Sequence, residues 1–248
     1  EFPVSENGRL EMRYSYSSKE LYDVDTNSSP ILIAEEGKRN SSAFGYTYTY
    51  DTRTTGIDPR WGMTLRFGQD VAGFGGDVEA ITTTALARVE RKILNEEVTL
   101  RAELEGGAIH ARGDTKLTVL DRFSGNGKIR GFETNGYGPR DTTAVNEDAL
   151  GGKYFAALRL ESEFPLGTPE EYGIHGGAFL DVGSVWGLDD TAGFAGTVDD
   201  ALHWRSSIGL SLFWTTPIGP LRFNFAHALK KEEYDLDRVF DLTISTKF

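Results

Sequence analysis

The residues best suited to chemistry fall in one stretch, Lys128-Ile129-Arg130-Gly131-Phe132-Glu133, followed by Gly136, Gly138 and Pro139. A guanidinium carries its donors in a planar fork and can grip one carboxylate at two points or bridge two. Gly131 permits a backbone conformation closed to other residues, and Phe132 supplies an apolar anchor. The chemistry this offers is recognition of a carboxylate, and the alternative is an exposed loop with an incidental arginine. The four histidines, His110, His175, His203 and His227, stand in no Ser/His/Asp or metal-ligand spacing. Asp23, Asp25, Asn27 and Ser29 begin like a calcium loop, but Ser28 and Ala34 occupy the places of its turn glycine and bidentate glutamate. A solvated outer loop is the expectation there, and for Asp189, Asp190, Asp199 and Asp200. No catalytic residue, metal site, cofactor or enzyme activity is expected.

The elements that position these residues follow from a period of two. Alternating apolar and polar residues mark about ten strands, at residues 9–17, 44–51, 61–68, 81–90, 98–108, 153–164, 174–183, 205–214, 221–229 and 239–248. Leu10, Tyr14, Tyr46, Leu65, Leu100, Leu158, Leu210 and Phe223 share one face, and Arg13, Arg66, Glu103, Arg159, Arg222 and Asp241 the other. A soluble sandwich also alternates. Strand number, strand length, 29 glycines, 29 aromatics (Phe 15, Tyr 10, Trp 4) and the outward aromatics near strand ends favour an antiparallel transmembrane β-barrel, with the apolar face to lipid and the charged face to a wet lumen. No window approaches the roughly 18 to 20 apolar residues of a spanning helix. The net charge of -12 excludes nucleic acid as a partner.

Connections alternate in length. Short ones are expected near residues 56–59, 94–96, 166–171 and 215–219, and long ones over 18–41, 111–150 and 187–203. The stretch with Gly73, Gly75 and Gly76 reads as a further turn, and 230–238 as an intermediate, charged loop. Residues 1–8, with Pro3, Asn7 and Gly8, read as a strand-joining turn, so the chain is expected to begin inside a barrel as a single region, 1–248. Bare strand edges template further pairing. Residues 9–17 and 239–248 are therefore expected to be closed on each other or covered. The connection over 111–150, about forty residues, is long enough to imply a function of its own.

Four motifs carry a resemblance. Ile129-Arg130-Gly131-Phe132, Asp181-Val182-Gly183-Ser184-Val185-Trp186, the segment from Gly209 to Leu221 with Trp214-Thr215-Thr216-Pro217-Ile218-Gly219, and the terminal Phe248 resemble, in order and spacing, the C-terminal barrel of the BamA family of outer-membrane assembly factors. The resemblance implies part of a sixteen-stranded barrel that follows periplasmic POTRA domains in a Gram-negative outer membrane. It implies a lumen-directed loop within 111–150, with Arg130 meeting Glu161 or Asp181 beside Gly183 on the inner wall. It also implies a seam strand containing Phe240, Leu242, Ile244 and Phe248. The partners implied are the outer-membrane bilayer, unfolded outer-membrane protein clients and the lipoproteins of the BAM complex. The alternative is a passive pore or a translocator of the two-partner-secretion type.

Overall fold

The computed structural model describes residues 1–55, 60–216 and 219–244. Eleven antiparallel strands form one sheet, each paired with its neighbours in the chain. They are β1(Phe2–Pro3), β2(Gly8–Leu21), β3(Gly37–Asp51), β4(Trp61–Gly76), β5(Ala80–Ile93), β6(Val98–Ala111), β7(Tyr154–Pro165), β8(Ile174–Trp186), β9(Arg205–Thr216), β10(Gly219–Lys230) and β11(Phe240–Ile244). A short helix, α1(Pro30–Ala34), lies between β2 and β3, its first turn capped by the Ser29 hydroxyl.

The faces separate by parity. Met12 is 68% and Leu210 62% exposed on one side of the sheet, whereas Asp181 and Ser207 on the other side are fully buried. Arg13, Glu103, Arg159 and Arg222 all lie on that second side, in contact with other charged or polar groups. The apolar face is the lipid face and the charged face the lumen. Leu210→Arg is therefore expected to cost about 2 to 4 kcal/mol if it lies near the bilayer midplane, and less toward either interface. The shift in urea midpoint for refolding into vesicles measures it, and an unchanged midpoint would remove Leu210 from the lipid surface.

The ten expected strands are all present, and Phe2–Pro3 adds an eleventh among the described residues by pairing with Leu10 and Arg9 ahead of the turn. Two expectations need correction. The long connection expected over 18–41 shrinks to 22–36, since Ser18, Lys19 and Glu20 remain paired with Asn40, Arg39 and Lys38. Beyond the hydrocarbon both faces of a strand meet water, so the ladder persists where alternation stops. Gly73, Gly75 and Gly76 belong to β4, leaving only 77–79 as its turn. A register shift between Ser41 and Ala43 opposite Gly76 absorbs the irregularity that the glycines signal.

The expected closure does not occur among the described residues. The strand order runs from β1 to β11 without a ladder joining the ends. Phe2 and Pro3 pair with Leu10 and Arg9 on the far edge of β2. The chain is an open, curved wall: beyond Leu10 the far edge of β2, and the far edge of β11, carry no ladder among the described residues.

Asp23, Asp25, Asn27, Asp189, Asp190 and Asp199 are exposed, as expected of solvated outer loops, but Ser29 is not. Ser28 and Ser29 are buried, and Ile31, Leu150, Leu188 and Val198 form a small core above the wall. Asp189 pairs with Lys153 at 2.6 Å, and Asp200 accepts from the Leu188 N–H at 2.7 Å. The acidic residues thus organise a cap in which loops 22–36, 112–153 and 187–204 meet.

Candidate functional site: an arginine clamp in the lumen

The connection between β6 and β7 turns back against the inner wall. Its Ile129, Phe132 and Tyr137 are buried against Phe155 and Ala157 of β7 and Val185 of β8. These wall residues have inward parity, so the loop has an apolar seat in an otherwise charged surface. Close approach is needed in two places. A Cβ on Gly183 would stand 2.8 Å from Ile129 Cγ2. Gly131 has φ +87°, and a Cβ there would meet Ser207 Cβ at 3.0 Å and Ala226 Cβ at 3.2 Å.

Arg130 sits at the centre of the contact. Its Nε donates to Asp181 Oδ2 at 2.7 Å and its Nη2 to Asp181 Oδ1 at 2.6 Å, a two-point grip. Its Nη1 donates to Glu161 Oε2 at 2.6 Å. The Arg130 backbone N–H also donates to Asp181, at 3.0 Å, and the Ser207 hydroxyl donates to the Arg130 carbonyl at 2.6 Å. The guanidinium carbon lies 3.6 Å from the centre of the Phe179 ring, which adds a cation–π contact on its open face. The side chain therefore ties β7 to β8, and the backbone carbonyl of the same residue adds β9 through Ser207.

The clamp stands within a belt of alternating charge. Glu161 also accepts from Arg222, and from Arg101 at 3.3 Å. Glu103 pairs with Arg88 and Arg159. Glu105 takes Arg159 at 2.5 Å and Lys128 at 2.7 Å. Lys128 in turn lies over the Phe155 ring. Each carboxylate has more than one cation, so removal of any single cation away from the clamp leaves every carboxylate with a partner.

The same loop is stitched to the segment before the last strand. The Glu133 N–H donates to the Leu236 carbonyl at 2.9 Å, the Leu236 N–H to the Gly136 carbonyl at 2.8 Å, and the Arg238 N–H to the Gly131 carbonyl at 3.0 Å. That segment is fixed to the wall by a buried pair. Arg205, at the loop end of β9, grips Asp235 from Nε at 2.9 Å and from Nη2 at 3.1 Å, with both side chains almost wholly buried. Parity places Arg205 on the inner face of β9, but nothing in the sequence singles out Asp235 among the acidic residues of its loop. Ser207 carries no motif of its own.

In the cap, Asp141 accepts from the Thr143 hydroxyl at 2.6 Å, the Ser29 hydroxyl at 2.7 Å and the Phe194 N–H at 2.9 Å. Burial alone would raise its pKa. These donors outweigh burial and hold the carboxyl below the usual aspartate range.

Of the seam residues, Phe240 and Leu242 pair with Phe225 and Phe223 of β10 and are exposed on the outer face. Ile244 pairs with Leu221. Phe248, like the turn expected at 56–59 and Pro217-Ile218 of the third motif, lies outside the described residues.

Comparison with known proteins agrees with this architecture. A family model described as the Omp85 superfamily domain matches residues 1–248. The outer membrane protein assembly factor BamA of Neorickettsia risticii is 30% identical over 247 residues, an alignment covering all of this chain and 33% of that protein. The human sorting and assembly machinery component 50 homolog is 27% identical over 207 residues, 78% of this chain and 43% of its own length. The chain spans about a third of the length of the BamA relatives it matches. Among solved structures, BamA of Haemophilus ducreyi lacking POTRA domains 1–3 superposes with a TM-score of 0.78 at 19% identity, covering all of this chain and 52% of that one. CdiB of Acinetobacter baumannii gives 0.59 at 15% identity over 98% of this chain and 40% of its own. The wall is that of an outer-membrane β-barrel, and the chain belongs to the Omp85 superfamily.

Proposed function

We propose that this chain is the C-terminal wall of an outer-membrane protein assembly factor that folds and inserts β-barrel clients into the outer membrane of a Gram-negative bacterium. The observation that carries the reading is the stitching of the arginine-bearing loop to residues 236–238, immediately before β11. A strand with an unpaired edge can template an incoming client strand through its backbone groups. Such an edge is useful only if its position is controlled. Here Arg130, Asp181 and Glu161 anchor the loop, and the loop holds the approach to Phe240, Leu242 and Ile244. No covalent step is required of any residue. Unfolded outer-membrane proteins are the clients in this reading, and lipoproteins of the BAM complex are its accessory partners.

A passive pore or secretion translocator is the rival. The loop packed on the inner wall through Ile129, Phe132 and Tyr137 disfavours it, because it occupies the path a solute would take. The full-length protein in liposomes is expected to accelerate the folding of a client barrel, read by heat-modifiable gel migration, and to show no steady single-channel current. Steady conductance without acceleration would reverse the assignment.

A further inference from the structure

The outer face of β5 carries a cation without a counter-charge. Arg91 shares the outward parity of Val89, is exposed, and stands two residues from the end of β5 at Ile93, beside the short turn to β6. No acceptor or carboxylate meets its guanidinium among the described residues. Its ladder partner on β4 is Trp61, half exposed on the same face. Cations and indoles at a strand end mark the level of the lipid headgroups.

From Arg91 an apolar trough of about 1020 Å³ runs across the outer wall. Its line follows one row of ladder partners, Arg91, Leu100, Ser162, Ala178, Leu210 and Phe225, on β5 to β10. Small side chains in the middle of the row, with Ala102 beside them, make the floor, and leucines make the walls. The row also climbs. Arg91 and Leu100 lie two residues from the short-turn ends of their strands, Ala178 four, and Leu210 and Phe225 six. Five interstrand spacings give a length of roughly 24 Å. The trough therefore starts at the headgroup level and enters the hydrocarbon obliquely.

We propose that this trough binds one phospholipid with an anionic headgroup, from the leaflet on the short-turn side. Arg91 takes the phosphate with its planar fork, Trp61 covers the glycerol region, and one acyl chain lies along the row to Phe225. Charge decides the occupant, because an unpaired guanidinium on a lipid-facing wall is stabilised by an anion at the membrane surface. A peptide strand is a poorer fit. The strands beneath the trough are paired on both sides, so they offer an incoming backbone no hydrogen-bonding edge.

The proposal rests on the apolar face being the lipid face, and the test separates the two. The full-length protein is refolded into vesicles of equal phosphatidylcholine and phosphatidylglycerol, extracted, and weighed by native mass spectrometry. Wild type is expected to retain one phosphatidylglycerol in preference to phosphatidylcholine. Arg91→Gln, which removes the charge, and Ala178→Phe, which fills the floor, are each expected to lower that occupancy by about tenfold or more, equivalent to about 1.4 kcal/mol. Heat-modifiable migration on gels reports whether each variant has folded. Equal retention by wild type and both folded variants overturns the site. So does a folded wild type that retains no lipid, or one in which a second copy of the chain occupies the trough and the mass is that of a dimer. A wild type that does not refold into vesicles defeats the lipid-face reading and the site with it.

Discussion

Arg130→Ala is expected to destabilise the barrel wall by about 3 to 5 kcal/mol, the range for breaking a buried ion pair by removing one partner. The partner left behind decides the size. Asp181 is fully buried, and each hydrogen bond described for its carboxylate comes from Arg130, through Nε, Nη2 and the backbone N–H. Without the side chain its charge retains one backbone donor. Asp181→Ala should cost less, because Arg130 keeps Glu161. Arg130→Lys should fall between, since an ammonium cannot hold two points on one carboxylate and reach a second. Urea midpoints of the full-length protein in vesicles measure the order, and limited proteolysis within 112–153 reports whether the loop has left its seat. A midpoint for Arg130→Ala within about 0.5 kcal/mol of wild type, the usual range for surface changes, would mean that Ile129 and Phe132 seat the loop without the clamp.

Asp235→Ala is expected to cost a similar amount, about 3 to 5 kcal/mol, for the opposite reason. It leaves a buried guanidinium whose remaining acceptors are the His203 carbonyl at 2.9 Å and the Tyr234 hydroxyl at 3.2 Å. The local consequence should be larger than the global one. The Asp235 carboxylate also accepts from the Glu232 N–H at 2.8 Å, so its loss opens the turn that presents 236–238. Hydrogen exchange at the amides of Glu133, Leu236 and Arg238 should rise together, because these three amides stitch the two loops. Asp235→Asn keeps an acceptor in place and should raise exchange less. Unchanged exchange at those amides in Asp235→Ala would show that the stitching stands without the buried pair.

Much of the wall was legible from alternation alone. The lipid and lumen faces follow from period two, because one water-filled side and one lipid side sort Arg, Glu and Lys from Leu, Tyr and Phe. The inward placement of Arg13, Glu103, Arg159 and Arg222 needed no more than that. Strand ends were misjudged where this contrast fades. Ser17 to Leu21 and Gly37 to Ser41 continue the ladder with no apolar face to reveal it. Gly73 to Gly76 carried the opposite error, a turn signal inside a strand. Ile129 to Phe132, with Glu161, Asp181 and Gly183, came from a motif and its resemblance, since alternation does not say which loop folds inward. Ser207, Asp235 and the backbone bonds at 236–238 escaped, because each partner is set by how distant loops meet. Ser29 was expected in a solvated loop and is buried for the same reason, because Asp141 and Asp148 hold it from a loop more than a hundred residues away.

Among the described residues every strand of the wall pairs only with its neighbours along the chain, so the sheet can grow hairpin by hairpin with little loop-closure entropy lost at each step. The contacts of Arg130 do not share this economy. They require β7, β8 and β9 to lie side by side, and the bond from Arg238 to Gly131 waits for the chain beyond β10 as well. The loop is therefore a bolt thrown after the wall is built. A contact made after the rate-limiting step governs how fast a structure comes apart rather than how fast it forms. Loss of Arg130 should then appear almost wholly as faster unfolding, with a φ-value near zero. A refolding rate that fell in step with stability would place the loop in the nucleus instead.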